Sequence, residues 1–219
     1  MDTLQSFLRF PLEEIPYVVV TLMIAFTLHE FAHAYVAYKF GDPTAQKQGR
    51  LTLNPAVHLD PLGTLLLLIA GFGWARPVPV NRHYFKNPRL AGILVSIAGP
   101  LSNLLIAAIG FMLYFGFMSA GILGNEYVIN FLHTLIEINV VLFVFNLLPV
   151  PPLDGYRVLE DLAPDNVRAK MSQFEMYGSL IFLVIVITPL GDYIITPIFQ
   201  TVIPLIYSVL ANFFSGIFL

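Results

Sequence analysis

The sequence predicts an all-α polytopic membrane protein. Of its 219 residues, 57% are hydrophobic and only 11% charged, and the mean hydropathy is +0.77, a balance typical of multi-pass bundles and foreign to soluble domains. The apolar residues also fall into runs long enough to cross a bilayer, about five of them, with one shorter run between the first and second. A net charge of −3 with no basic tract argues against a nucleic-acid partner. The chain has no cysteine, which excludes disulfides and thiolate chemistry, so any metal must be held by histidine and carboxylate.

Taken in order, residues 1–14 carry Phe7, Leu8 and Phe10 beside Arg9, Glu13 and Glu14, the pattern of a segment lying in the membrane interface. From Ile15 to Tyr38 the sole charged residue is Glu30, and Lys39 closes the run. About 24 residues at 1.5 Å each give ~36 Å, more than a hydrocarbon core of ~30 Å needs. This run is too long for a removable signal peptide and has no basic leader or cleavage site, so it is expected to remain in the mature protein. Residues 40–60, with Gly41-Asp42-Pro43 and Asn54-Pro55, read as loop and turns. The apolar stretch Leu62 to Phe72 is about eleven residues, too short to span as a helix, and is expected as a re-entrant or β-hairpin segment entering one leaflet. Pro77 and Pro79 then remove backbone donors from the Trp74 to Val80 stretch and favour an extended edge, open to pairing with a peptide.

A second span runs from Leu90 to about Phe117, with a kink or break expected at Gly99-Pro100. A third, about Tyr127 to Leu148, ends in Pro149-Val150-Pro151-Pro152-Leu153-Asp154-Gly155, where Asp154 emerges on an extended or turn backbone. Tyr156 to Leu162 reads as a short surface helix stopped by Pro164. Spans of about Phe174 to Thr188 and Ile195 to Leu219 finish the chain. The expected division is an interfacial segment (1–14), a membrane core (15–160) and a C-terminal transmembrane pair (161–219). Lys39, Lys47, Arg50, Arg76, Arg82, Lys86 and Arg89 flank the short apolar run, Arg157, Arg168 and Lys170 follow the third span, and no Lys or Arg comes later. The positive-inside rule makes those connectors cytoplasmic and brings His33 and Asp154 towards the same leaflet.

The chemistry centres on Thr27-Leu28-His29-Glu30-Phe31-Ala32-His33. Residues four apart share a helix face, so His29 and His33 can present two imidazoles to one ion while Glu30 reaches a water beside it. A chance occurrence on a solvated helix is the bland alternative, but ionisable groups inside a membrane span cost about 2.5–3.5 kcal/mol each and point to function. Zinc with three protein ligands and an open position suits hydrolysis, with the carboxylate as proton acceptor. Asp154, Asp60, His58 and Glu137 are the candidates for the third ligand, and Asp154 has the best depth. A metal or proton transporter using the same ligands is the rival reading, although no second copy of the motif appears. His133 and Glu137 make another i, i+4 pair, expected as a polar contact facing the bundle interior. His58 reads as a loop histidine.

His29-Glu30-x-x-His33 together with Asn146-Leu147-Leu148-Pro149 and Leu153-Asp154-Gly155 resembles the site-2 protease family of intramembrane zinc metalloproteases, in its small branch without PDZ or CBS domains. The similarity covers roughly residues 20 to 160, including Gly99-Pro100-Leu101-Ser102-Asn103. The resemblance implies a three-helix catalytic core, one Zn2+ per chain held by His29, His33 and Asp154, and Glu30 as general base. It also implies an endopeptidase that cuts a single-span client of the lipid bilayer near the cytoplasmic leaflet. A prokaryotic cell membrane suits the small size. Asn103 is expected to donate to the developing oxyanion, Asn146 to orient the Asp154 loop or bind substrate, and Val78 and Val80 to offer the client a strand edge. Substrate identity and oligomeric state are not legible.

Overall fold

The computed structural model describes residues 10–70 and 73–219, so most of the interfacial segment expected over 1–14, and Gly71 and Phe72 of the short apolar run, lie outside the described residues. The helices are α1 (Ile15–Lys39), α2 (Thr44–Lys47), α3 (Pro61–Ala70), α4 (Pro88–Ser119), α5 (Glu126–Asn146), α6 (Asp154–Leu162), α7 (Asp165–Glu175), α8 (Gly178–Ile187) and α9 (Leu190–Phe218). Among the described residues there is no β-strand, only an isolated antiparallel bridge between Leu59 and Ala75. Among the described residues four helices, α1, α4, α5 and α9, are long and apolar enough to cross a membrane, and α7 with α8 would count as a fifth only as a pair bent by 71°. The chain is a multi-pass membrane protein.

α4 is the hub, packed against α1, α5, α6 and α9. Its buried stripe is made of small residues, Gly92, Ser96, Gly99, Ala107 and Gly110 among them. In a bilayer, where apolar burial drives helix association little, such residues let backbones approach closely. At Gly110 an added Cβ would lie 2.7 Å from Ile136 of α5. Asn87 caps this helix by accepting from the Leu90 N–H at 3.4 Å, and Pro88 occupies the first turn, where its missing donor is harmless.

Several expected boundaries shift. α4 continues through Gly99-Pro100 instead of breaking there. The short apolar stretch takes the helical option over Pro61–Ala70, and Gly63 packs so closely on the Trp74 carbonyl that a side chain there would overlap it. The fourth span is a ten-residue helix, Gly178–Ile187, because the polar run Asp165–Glu175 before it forms a separate helix at an angle. The fifth begins at Leu190, five residues before Ile195, with Asp192 in its first turn. α6 begins at Asp154 after an extended Leu153 and rests on the end of α5, where a side chain at Gly155 would overlap the Leu147 carbonyl.

Candidate metal centre

α1 places His29 and His33 on one buried face, and the start of α6 brings the Asp154 carboxylate onto them. Asp154 Oδ2 lies 3.2 Å from His29 Nε2 and 3.3 Å from His33 Nε2, and the two Nε2 atoms are 3.0 Å apart. All three side chains are buried, at 7–8% exposure. A tetrahedral ion with ligand bonds of about 2.0–2.1 Å has ligand–ligand edges of about 3.3 Å. The triangle is therefore close to one face of such a polyhedron.

The far sides of the rings complete the argument. His33 Nδ1 is 2.7 Å from the Val95 carbonyl, which can only accept, so Nδ1 carries a proton and Nε2 is left as the nitrogen turned towards Asp154 for a metal. His29 Nδ1 is 2.7 Å from Asn103 Oδ1 and is oriented the same way. Two nitrogen lone pairs and a carboxylate oxygen thus converge in a buried space, an arrangement that a cation satisfies. Gly99 makes room from α4, since a Cβ there would overlap both imidazoles.

Glu30 is buried beside the triad, and its Oε2 accepts from the Val78 N–H at 2.8 Å. That bond ties the Val78 segment to Glu30. Arg50, which sequence reasoning passed over, is buried in the same loop layer and donates to the Arg76 carbonyl at 2.5 Å. Burial lowers its guanidinium pKa, Glu30 opposes that shift and Arg76 adds to it. A cavity of about 220 Å³ opens onto His29, Glu30, His33 and Asp154 and is also lined by Val78, Val80, Phe145 and Asn146.

Other expectations need correcting. Asn103 lies behind His29, and its Nδ2 donates to Asn139 Oδ1 at 3.0 Å, so the amide has no donor facing the cavity and cannot serve a developing oxyanion. Asn146 Nδ2 donates to Leu142 O in its own helix at 2.9 Å, not to the Asp154 loop. Of the four third-ligand candidates only Asp154 reaches the histidines. Asp60 caps α3 by accepting from Gly63 N–H at 2.8 Å, and His58 is a fully buried loop residue 2.8 Å from the Thr52 carbonyl through Nε2. Glu137 and His133 are exposed on α5, His133 edge-on to Tyr114, because that face of α5 turns out of the core. Two features went unread: Asn139, and Asp161, whose buried carboxylate pairs with Arg82 and lies 3.3 Å from Arg168. The Asp161 cluster ties the loop after Val80 to the helix that begins with Asp154. An asparagine in an apolar span was the available signal for the first, and the pairing partners of the second are far away in sequence.

Fold and site together define a class: a helical membrane protein with a buried two-histidine, one-carboxylate group suited to a metal and a buried glutamate beside it. The chain belongs to peptidase family M50, the family of site-2 proteases, and is a zinc metalloendopeptidase of the membrane. The family model matches residues 118–188, which include Asp154. Over 201 residues the chain is 60% identical to YwhC of Bacillus subtilis (strain 168), covering 89% of this chain and 90% of that one. It is 35% identical over 178 residues to Rip2 of Mycolicibacterium smegmatis and 33% identical over 180 residues to Rip2 of Mycobacterium tuberculosis (strain H37Rv), in each case covering 78% of this chain and 67% of the relative. The names of all three carry the words zinc metalloprotease. No solved structure matches.

Proposed function

We propose that this protein cuts a single-span client within its membrane segment, near the cytoplasmic leaflet, as a step of regulated intramembrane proteolysis. The observation that carries the reading is the convergence of His29 Nε2, His33 Nε2 and Asp154 Oδ2 within 3.3 Å of one another, with Glu30 next to them in a shared cavity. His29, His33 and Asp154 hold the metal, and Asn103 positions His29 from behind. When bound, zinc supplies a Lewis acid and a water acidified towards neutral pH. Glu30 is placed to accept a proton from the attacking water and to pass it to the leaving amine, a role that its position beside the three ligands in the shared cavity supports. The catalytic unit spans residues 15–160, and residues 161–219 flank it.

A scissile bond in a helix is shielded by its own hydrogen bonds, so the client must unwind first. The segment around Val78 and Val80 lines the cavity outside any helix or strand, and suits capture of an unwound client by backbone pairing. Val78 N–H is the donor in reach, shared between Glu30 and an incoming carbonyl. The cytoplasmic placement rests on depth and charge: His33 is six residues, about 9 Å, from Lys39 at the end of α1. Mapping the cut by mass spectrometry in a single-span client reconstituted in vesicles tests the reading. A cut inside the apolar segment in its cytoplasmic half is expected, lost when the flanking helix is stiffened by alanine and leucine. Cutting in a water-exposed tail, or in the opposite half, would overturn it.

A further inference from the structure

Behind His29 the bundle holds a polar chain that begins at a backbone carbonyl. Asn139 of α5 is fully buried, and its Nδ2 donates to Leu135 O, one turn earlier, at 2.8 Å. Its Oδ1 accepts from Asn103 Nδ2 at 3.0 Å, and Asn103 Oδ1 lies 2.7 Å from His29 Nδ1. Each link has a single solution. A carbonyl oxygen only accepts, so Asn139 must turn its nitrogen to Leu135 and its oxygen to Asn103. Asn103 must then offer nitrogen to Asn139 and oxygen to His29, which leaves the His29 proton on Nδ1 and the lone pair on Nε2. Turning either amide over would set two acceptors, or two donors, face to face at fully buried side chains.

We infer that Asn139 is a positioning residue for the metal centre: through Asn103 it transmits the polarity of the Leu135 carbonyl to His29 and fixes the tautomer that can bind metal. His33 needs no such relay, because the Val95 carbonyl bonds its Nδ1 directly. The difference has a structural origin. His29 lies one turn deeper in α1 and faces Asn103, so its donor must be matched by a side chain whose two ends are otherwise interchangeable. Asn103 Nδ2 also points to the Ala25 carbonyl, but at a long 3.5 Å, and the 3.0 Å bond to Asn139, itself anchored on a carbonyl, is the stronger hold on the amide's orientation.

The inference rests on the metal-centre reading, and two readouts keep the two separable. The first is the tautomer of the His29 ring in the metal-free full chain, read from imidazole 15N shifts, with His33 as internal reference. Wild type is expected with Nδ1 protonated, whatever the state of Nε2, and a wild-type His29 with a bare Nδ1 overturns the inference without any variant. The second is Zn2+ affinity by chelator competition. Asn139→Leu, of similar size but without an acceptor for Asn103, is expected to mix the His29 tautomers and lower affinity about tenfold, while Asn139→Asp stays within about threefold. As a neutral acid in this apolar setting, the aspartyl side chain still donates to Leu135 O and accepts from Asn103. A folded Asn139→Leu protein with a pure Nδ1–H ring and unchanged affinity would reduce Asn139 to a helix contact. Wild-type protein with the expected tautomer but no stoichiometric Zn2+ binding would overturn the metal-centre reading instead.

Discussion

The bundle of α1, α4, α5 and α6 and the C-terminal helix α9 are both apolar, yet they are packed in opposite ways. Every buried polar or charged side chain among the described residues lies between Thr21 and Asp161, whereas α9 has no buried residue at all. α9 lays Ile203, Tyr207 and Leu210 against the Phe111 and Ile136 cluster and leaves its other face, including Leu205 and Phe213, uncovered. In water that exposure would be costly. In lipid it costs little, since hydrocarbon solvates leucine as well as a protein core does, while an imidazole or carboxylate must be enclosed by protein that answers its hydrogen bonds. The difference teaches where the bundle needs exact packing: around the polar site, where atoms have obligatory partners, and less along the lipid-facing helix.

Two glycines of α4 put this contrast to the test. Gly99→Ala places a methyl into the space of the His29 and His33 rings, and Zn2+ affinity measured by chelator competition is expected to fall about 10- to 100-fold while helical content by circular dichroism is kept. Unchanged affinity would mean that the rings do not sit as described. At the other end, Gly116→Ala meets the Phe218 ring of α9 at 3.5 Å, an ordinary contact. Thermal unfolding in detergent should then move by no more than about 0.5 kcal/mol, with cleavage intact. A large loss there would show that α9 is held as tightly as the core and would erase the distinction.

Much of the site was legible because it is local. The spacing of His29, Glu30 and His33 fixes their faces once α1 is helical, and the proline run ending in Leu153-Asp154-Gly155 announces a chain reversal that delivers a carboxylate at the right depth. What stayed hidden depends on partners far away in sequence. Asn103 reads from the sequence as an oxyanion donor, and only its place behind His29, with its Nδ2 on Asn139, shows that it faces away from the cavity. In α5 the sequence draws attention to His133 and Glu137, which are exposed, while Asn139 carries the buried contact. The short run after Pro61 is compatible with helix or hairpin on composition alone, and the close approach of Gly63 to Trp74 belongs to tertiary structure. Gly99 drew attention only as the neighbour of Pro100, whereas the space it leaves for two rings belongs to tertiary structure.

The measurement that bears most directly on the catalytic assignment is zinc content together with cleavage of a single-span client, comparing purified wild type with Glu30→Gln. Glutamine keeps the size of the side chain and can still accept from the Val78 N–H, but it cannot take a proton from water. The expected result is about one zinc per chain in both proteins, with cleavage in the wild type alone. Equal cleavage by both, with zinc retained, would remove Glu30 from the chemistry and contradict the assignment.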